Sequence, residues 1–151
     1  MKYDITGHNS INIDAPVERV WAALTDPALI KKYFHDTDAE SDWKPGSPIR
    51  WTGQWQGRPY EDKGRVYESQ PNRLLKHDYW SSRWEKEQPD KPENYVMITY
   101  ELQPEGDRTV LLVTQENIPT EEMRVHAEQG WDLILGGMKK MLEEMHEHAP
   151  A

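Results

Sequence analysis

Between Thr120 and His146 apolar side chains return at steps of three and four: Met123, Ala127, Trp131, Ile134, Met138, Met141 and Met145. That spacing draws a single stripe along an α-helix of about seven turns. Arg124, Glu128, Asp132, Lys139, Lys140, Glu143, Glu144 and Glu147 fall on the other side. The pattern predicts one long amphipathic helix that needs a broad apolar floor. Gly130 and Gly137 stand one heptad apart at the edge of the stripe. A glycine inside a helix costs on the order of 1 kcal/mol relative to Ala. The pair therefore implies close approach of a sheet, the simpler expectation, or room left for a ligand. Gly136 points away from the stripe.

The rest of the chain reads mainly as strands. Ile11 and Ile13 alternate with polar residues, and Asp14-Ala15-Pro16 then opens a short helix carrying Val17, Val20, Trp21 and Leu24. Asp14 is the expected N-cap. Thr25-Asp26-Pro27 repeats the cap-plus-proline signal and predicts a second short helix to about Tyr33. From Asp36 onward the period becomes two. Ile49, Trp51, Gly53 and Trp55 alternate with polar residues between turns at Lys44-Pro45-Gly46 and Gln56-Gly57-Arg58-Pro59. Strands follow over residues 61–69, 74–80, 96–102 and 109–116, with a hairpin at Pro104-Glu105-Gly106-Asp107. The span from Ser81 to Asn94, with two prolines and seven charges, reads as an exposed loop. Strands joined by short turns form an antiparallel sheet, and one long helix across it makes a single α+β domain over residues 1–151.

Composition changes this picture in one respect. Ten Leu, eight Ile, seven Val and one Phe are few for 151 residues, a level that with a net charge of −9 borders on disorder. Seven Trp and seven Tyr argue for a folded chain whose core leans on amphipathic rings, each wanting a polar partner for its N–H or O–H. The scattered basic residues form no patch, so neither nucleic acid nor an anionic membrane is an expected partner. No apolar run reaches membrane-spanning length, and the N-terminal MKYDITGHNS lacks the apolar region of a secretion signal. With no Cys to form disulfides or thiolate sites, a cytoplasmic location is the expectation.

Several segments carry a family resemblance. They are IDAPVERVWAALTDP at 13–27, PGSPIRW at 45–51, KGRVYESQPNRLL at 63–75, ITYELQPEGDRTVLLVTQENI at 98–118, and Gly130-Trp131 with the Leu and Met that follow to residue 142. In this order the chain resembles the START/Bet v 1-like (SRPBCC) superfamily, and within it the activator-of-Hsp90-ATPase-homologue-1-like group. The resemblance implies a helix-grip fold. In it a curved antiparallel sheet of about six to seven strands wraps a long C-terminal helix, with two short helices after strand 1. It also implies a cavity between sheet and helix, used across the superfamily for lipids, steroids and polyketides. Three departures stand out. Tyr33-Phe34 replaces the usual Trp before Phe, the 81–94 loop is longer than the pattern needs, and Thr114-Gln115 stands where many members have Thr-His. The chaperone-engaging N-terminal domain of the Hsp90 activator has no counterpart, so an Hsp90 partnership is not expected.

The candidate chemistry lies on the inward face. Trp51, Trp55, Tyr100 and Trp131 either line a pocket, with Ile134 and Met138 on the helix above, or simply pack as core. Strand parity turns His77 and Tyr79 inward, and Gln115 shares a face with Leu111 and Val113. This polar trio could orient a ligand carbonyl or hydroxyl. His77, with an ordinary pKa near neutrality, either works as a general acid or base or is a core histidine satisfied by a Tyr or Glu. Glu68 shares parity with Val66 and reads as an inward carboxylate or as the solvent end of its strand. His146-Glu147-His148 does not make a metal site, because i and i+2 face different sides of a helix. No cofactor or metal is expected, and no phosphate loop, calcium loop or nucleophile elbow is present. The expected function is binding of a small hydrophobic or aromatic ligand between sheet and helix. The alternatives are a cyclase- or hydrolase-type enzyme using His77, and a co-chaperone-like interaction module. A homodimer through outward Val110 and Leu112 is a further expectation.

Overall fold

The computed structural model describes residues 2–34 and 36–147; the side chains of Trp55, His146 and Glu147 lie outside the described set, as does the whole of His148. The chain runs β1 (Ile5–Ile13), α1 (Val17–Thr25), α2 (Pro27–Tyr33), β2 (Asp38–Glu40), β3 (Pro48–Trp55), β4 (Arg58–Gln70) and β5 (Leu74–Ser81). After two 3₁₀ turns, Ser82–Trp84 and Pro92–Asn94, it continues through β6 (Val96–Glu105), β7 (Arg108–Ile118) and α3 (Glu121–Glu147). Seven strands form one antiparallel sheet in the order β1-β7-β6-β5-β4-β3-β2. This is the helix-grip arrangement, an α+β fold in which the curved sheet holds α3. Among the described residues no helix is long and apolar enough to cross a membrane.

Local signals act largely as their chemistry dictates. Asp26 caps α2 by accepting from the Ala28 N–H, with Pro27 in the first turn. Thr120 Oγ1 accepts from the Met123 N–H and opens α3. Gln56 and Gly57 both take positive φ, the two-residue turn that matches strand twist. Asp14 departs from expectation: Pro16 occupies the N-cap of α1 without a side-chain bond, and the Asp14 N–H turns instead to Glu143. The 81–94 segment is mostly exposed, as expected, but two of its contacts face inward. It covers Trp80, whose indole N–H donates to the Gln88 carbonyl while its ring stacks on Tyr95. Trp84 packs inward on the core.

The floor of α3 is centred differently from the sequence stripe. Leu135, Met138 and Leu142 are fully buried, Trp131, Ile134, Met141 and Met145 flank them, and Met123 is 38% exposed. Four charged residues assigned to the solvent side lie instead on the flank beside β1, the sheet's edge strand. The His8 N–H donates to Glu128 Oε2 at 2.9 Å and the Asp14 N–H to Glu143 Oε2 at 2.8 Å. Lys139 Nζ donates to the Asn12 carbonyl at 2.7 Å, and Asn9 Nδ2 reaches Asp132 Oδ1 at 2.9 Å. An open strand edge is a template for pairing with other chains, and here helix side chains occupy it.

The helix glycines are not sites of close sheet approach. A Cβ at Gly130 or Gly136 would meet nothing within 4 Å, and at Gly137 it would make ordinary contact with Tyr33 of α2, 3.8 Å away. The close approach occurs at Gly64, where a Cβ would sit 2.2 Å from the Asp78 carbonyl oxygen in the β4–β5 ladder. Gly64→Ala should therefore lower stability by about 3 kcal/mol. Gly136→Ala, in open space on a helix, should raise it by roughly 0.5–1 kcal/mol. Urea unfolding midpoints for the two variants check both signs.

Candidate functional site

The concave face of the sheet carries a continuous column of rings. Trp84 meets Tyr79 edge-on at 5.5 Å between centroids, Tyr79 meets Trp51 at 5.2 Å, and Trp51 meets His77 at 5.2 Å. His77 then meets Tyr100 at 5.4 Å, and Tyr100 meets Trp131 of α3 at 5.8 Å. Strand register builds this column. Val66, His77, Ile98 and Gln115 form one row across β4, β5, β6 and β7, and Leu75, Tyr100 and Val113 form the next. The structure thus brings together Trp51, His77, Tyr79, Tyr100, Gln115 and Trp131. Met138 is buried in the same core, and Ile134 lies half-buried at its flank. Trp55 ends β3, its side chain outside the described set.

Several polar tips of the column are bonded inside the protein. Trp131 Nε1 donates to Gln115 Oε1 at 2.9 Å. His77 Nδ1 lies 2.7 Å from the Asp78 carbonyl, so it carries the ring proton, and Nε2 is left to accept from the Tyr100 hydroxyl at 3.2 Å. Tyr79 donates to Asp62 Oδ2. Burial lowers the His77 pKa to about 4, partly offset by the Asp78 carbonyl. His77 is therefore a neutral imidazole at pH 7 with both nitrogens engaged. Burial likewise pushes the Tyr79 and Tyr100 hydroxyls up.

Asp62 is the site residue that the sequence reading passed over. Its side chain has 0% exposure, one oxygen bonded to Tyr79 and 3.8 Å from an Arg83 nitrogen. The other oxygen, Oδ1, is buried with no hydrogen-bond partner. Burial raises its pKa, opposed by the Tyr79 and Ser81 hydroxyls and by Arg83. Parity was the available signal: Tyr60, Asp62 and Val66 are all buried at even positions of β4. The same parity pointed to Glu68, but the ladder slips between Val66 and Glu68, and Glu68 is exposed. One extra residue in a strand reverses the facing of all that follow.

Two open grooves lie elsewhere. One, of about 610 Å³, runs between α2 and α3 along Tyr33, Gly137, Met141 and Met145. The other, of about 400 Å³, is walled by Trp21 and Trp43. Neither is lined by a residue of the ring column. Among the described residues, no cluster of three or more His, Asp or Glu could hold a metal ion.

Comparison with known proteins places this architecture. The family model for activator of Hsp90 ATPase homolog 1-like protein matches residues 14–143. A protein from Cytophaga hutchinsonii, solved in solution, is similar at 37% identity over 97% of this chain and 99% of that one, with a TM-score of 0.81. The Aha1 dimer from Colwellia psychrerythraea shares the fold at 22% identity, with a TM-score of 0.73 over 92% of this chain and 96% of that one. CalU16 from Micromonospora echinospora does so at 23%, with a TM-score of 0.67 over 95% and 88%. Among curated proteins none matches the chain.

The His77 environment has a measurable consequence. Its folded pKa of about 4 lies below the ordinary value of 6.5, so the unfolded chain takes up a proton first as pH falls. Its contribution to stability is complete above pH 6.5 and is lost toward pH 4, by about 3 kcal/mol. Asp62, with its raised pKa, titrates in the opposite sense and is common to both proteins compared. Urea midpoints measured from pH 7 to pH 4 should fall more steeply for the native chain than for His77→Gln. Parallel profiles would show that His77 carries no such linkage.

Proposed function

The chain belongs to the activator of Hsp90 ATPase homolog 1-like family, and from that premise we propose that it is a binding module for a small hydrophobic or aromatic molecule held between the concave face of the sheet and α3. The observation that carries this reading is the ring column from Trp84 to Trp131, closed above by Met138. Those rings touch one another directly, so a flat apolar guest exchanges ring contacts for similar ones. Trp51, His77, Tyr79, Tyr100, Gln115, Trp131, Ile134 and Met138 are the residues assigned to contact the guest.

The geometry speaks against His77 as an acid or base in this site. A neutral imidazole whose Nδ1 proton is held by a backbone carbonyl, and whose Nε2 is met by a tyrosine hydroxyl, has no free nitrogen for substrate. Binding without turnover is the reading that follows. The Colwellia protein is described as a dimer. For this chain, Val110 and Leu112 are only partly buried on β7 and are the place where a second copy would be sought.

Titration with anilinonaphthalene sulfonate should quench tryptophan fluorescence saturably, and Trp131→Ala should weaken binding by about tenfold, or 1.4 kcal/mol. Quenching that never saturates, or that is unchanged in the Trp131 variant, would sink the location.

A further inference from the structure

Asp62 is a fully buried carboxylate of the aromatic site, and one of its two oxygens is left without a hydrogen bond. It sits between Trp51 and Ser81 in the β3–β4–β5 register, at the end of the ring column where β5 gives way to the Ser82–Trp84 turn. Oδ2 is held by Tyr79, whereas Oδ1 is buried without a partner. A buried acceptor left unsatisfied costs about 1–3 kcal/mol. The groups around it are Tyr79, whose ring meets both Trp51 and Trp84, Arg83, and the buried Ser81 opposite it in the ladder, whose hydroxyl lies near enough to favour the carboxylate without bonding Oδ1. Arg83 is anchored by its Nε–H to Ser81 Oγ at 3.1 Å and lies over the Tyr60 ring.

We propose that Asp62 is the anchoring acceptor of the ligand site, and that the ligand class it selects is a neutral hydroxyaromatic whose O–H donates to Oδ1. This deepens the binding reading above and rests on it. The donor is inferred from the atom left over: a carboxylate oxygen accepts and, when ionised, cannot donate. Neutrality follows from Arg83, which already stands 3.8 Å from the carboxylate; an ammonium ligand would meet that guanidinium as a like charge. The flat ring follows from Trp51, Tyr79 and Trp84. Trp84 rides on a three-residue turn and is only partly buried, so its indole is the one an entering ring displaces.

The test compares naphthol with methoxynaphthalene, which has the same rings and no O–H. Isothermal titration of the native protein should show naphthol bound at least about tenfold more tightly. Amide and indole N–H spectra should place the shifts at Trp84, Trp51 and Asp62. In the double variant Asp62→Leu with Tyr79→Phe, which removes both partners of the Asp62–Tyr79 bond and strands neither, the two probes should bind equally. Equal affinities in the native protein would overturn the anchor while leaving the binding reading intact. Tighter binding of naphthylmethylammonium than of naphthol would overturn the ligand class, and shifts confined to the α2–α3 groove would overturn the location. If neither the naphthalene probes nor anilinonaphthalene sulfonate binds saturably, the binding reading itself fails. The native-protein comparison decides the matter even if the double variant does not fold.

Discussion

A core made of amphipathic rings is costly wherever a buried polar tip lacks a partner inside the protein. This constraint organises the concave face. The Trp131 indole reaches Gln115, the Tyr100 hydroxyl reaches His77, and His77 donates its Nδ1–H to the Asp78 carbonyl. Each bond joins two different strands, strand to helix, or side chain to backbone. The same contacts that satisfy desolvated groups therefore also set the position of α3 over the sheet. An aliphatic core of equal volume would pack without selecting one such arrangement.

The helix is held along its flank as well as at its floor. Leu135, Met138 and Leu142 provide the burial, while Glu128, Asp132, Lys139 and Glu143 bond to β1. Glu128 is also paired with Arg124, and Glu143 with Lys139. Exposed ion pairs of this kind add little by themselves. Their larger effect is to occupy backbone groups that an unpaired edge would offer to other chains. At the opposite edge β2 is three residues long and carries Asp38 and Glu40, a second and simpler guard.

Within this frame Asp62 is the exception that gives the site its character. The Trp131, Gln115, Tyr100 and His77 tips bond internally and fix the shape of the column. One carboxylate oxygen remains. It is buried beside Tyr79 and Arg83, and under the proposal above a donor reaches it by replacing a ring near the 3₁₀ turn.

Periodicity by itself determined the order of the main elements and the α+β class, and the residues of five segments carried the family resemblance. Helical and strand repeats, cap-plus-proline signals and turn residues are local, and they read the same in one dimension as in three. Parity also placed His77, Tyr79 and Gln115 on the inward face. Which of these groups is chemically free was decided by tertiary structure alone. That depends on pairings far apart in sequence: Trp131 with Gln115, Tyr100 with His77, Tyr79 with Asp62. The slip after Val66 reversed Glu68, and the edge of β1 drew charged residues of α3 that a helical wheel assigns to water. A sequence states which side chains can be buried; only the assembled sheet states which of their hydrogen bonds are already taken.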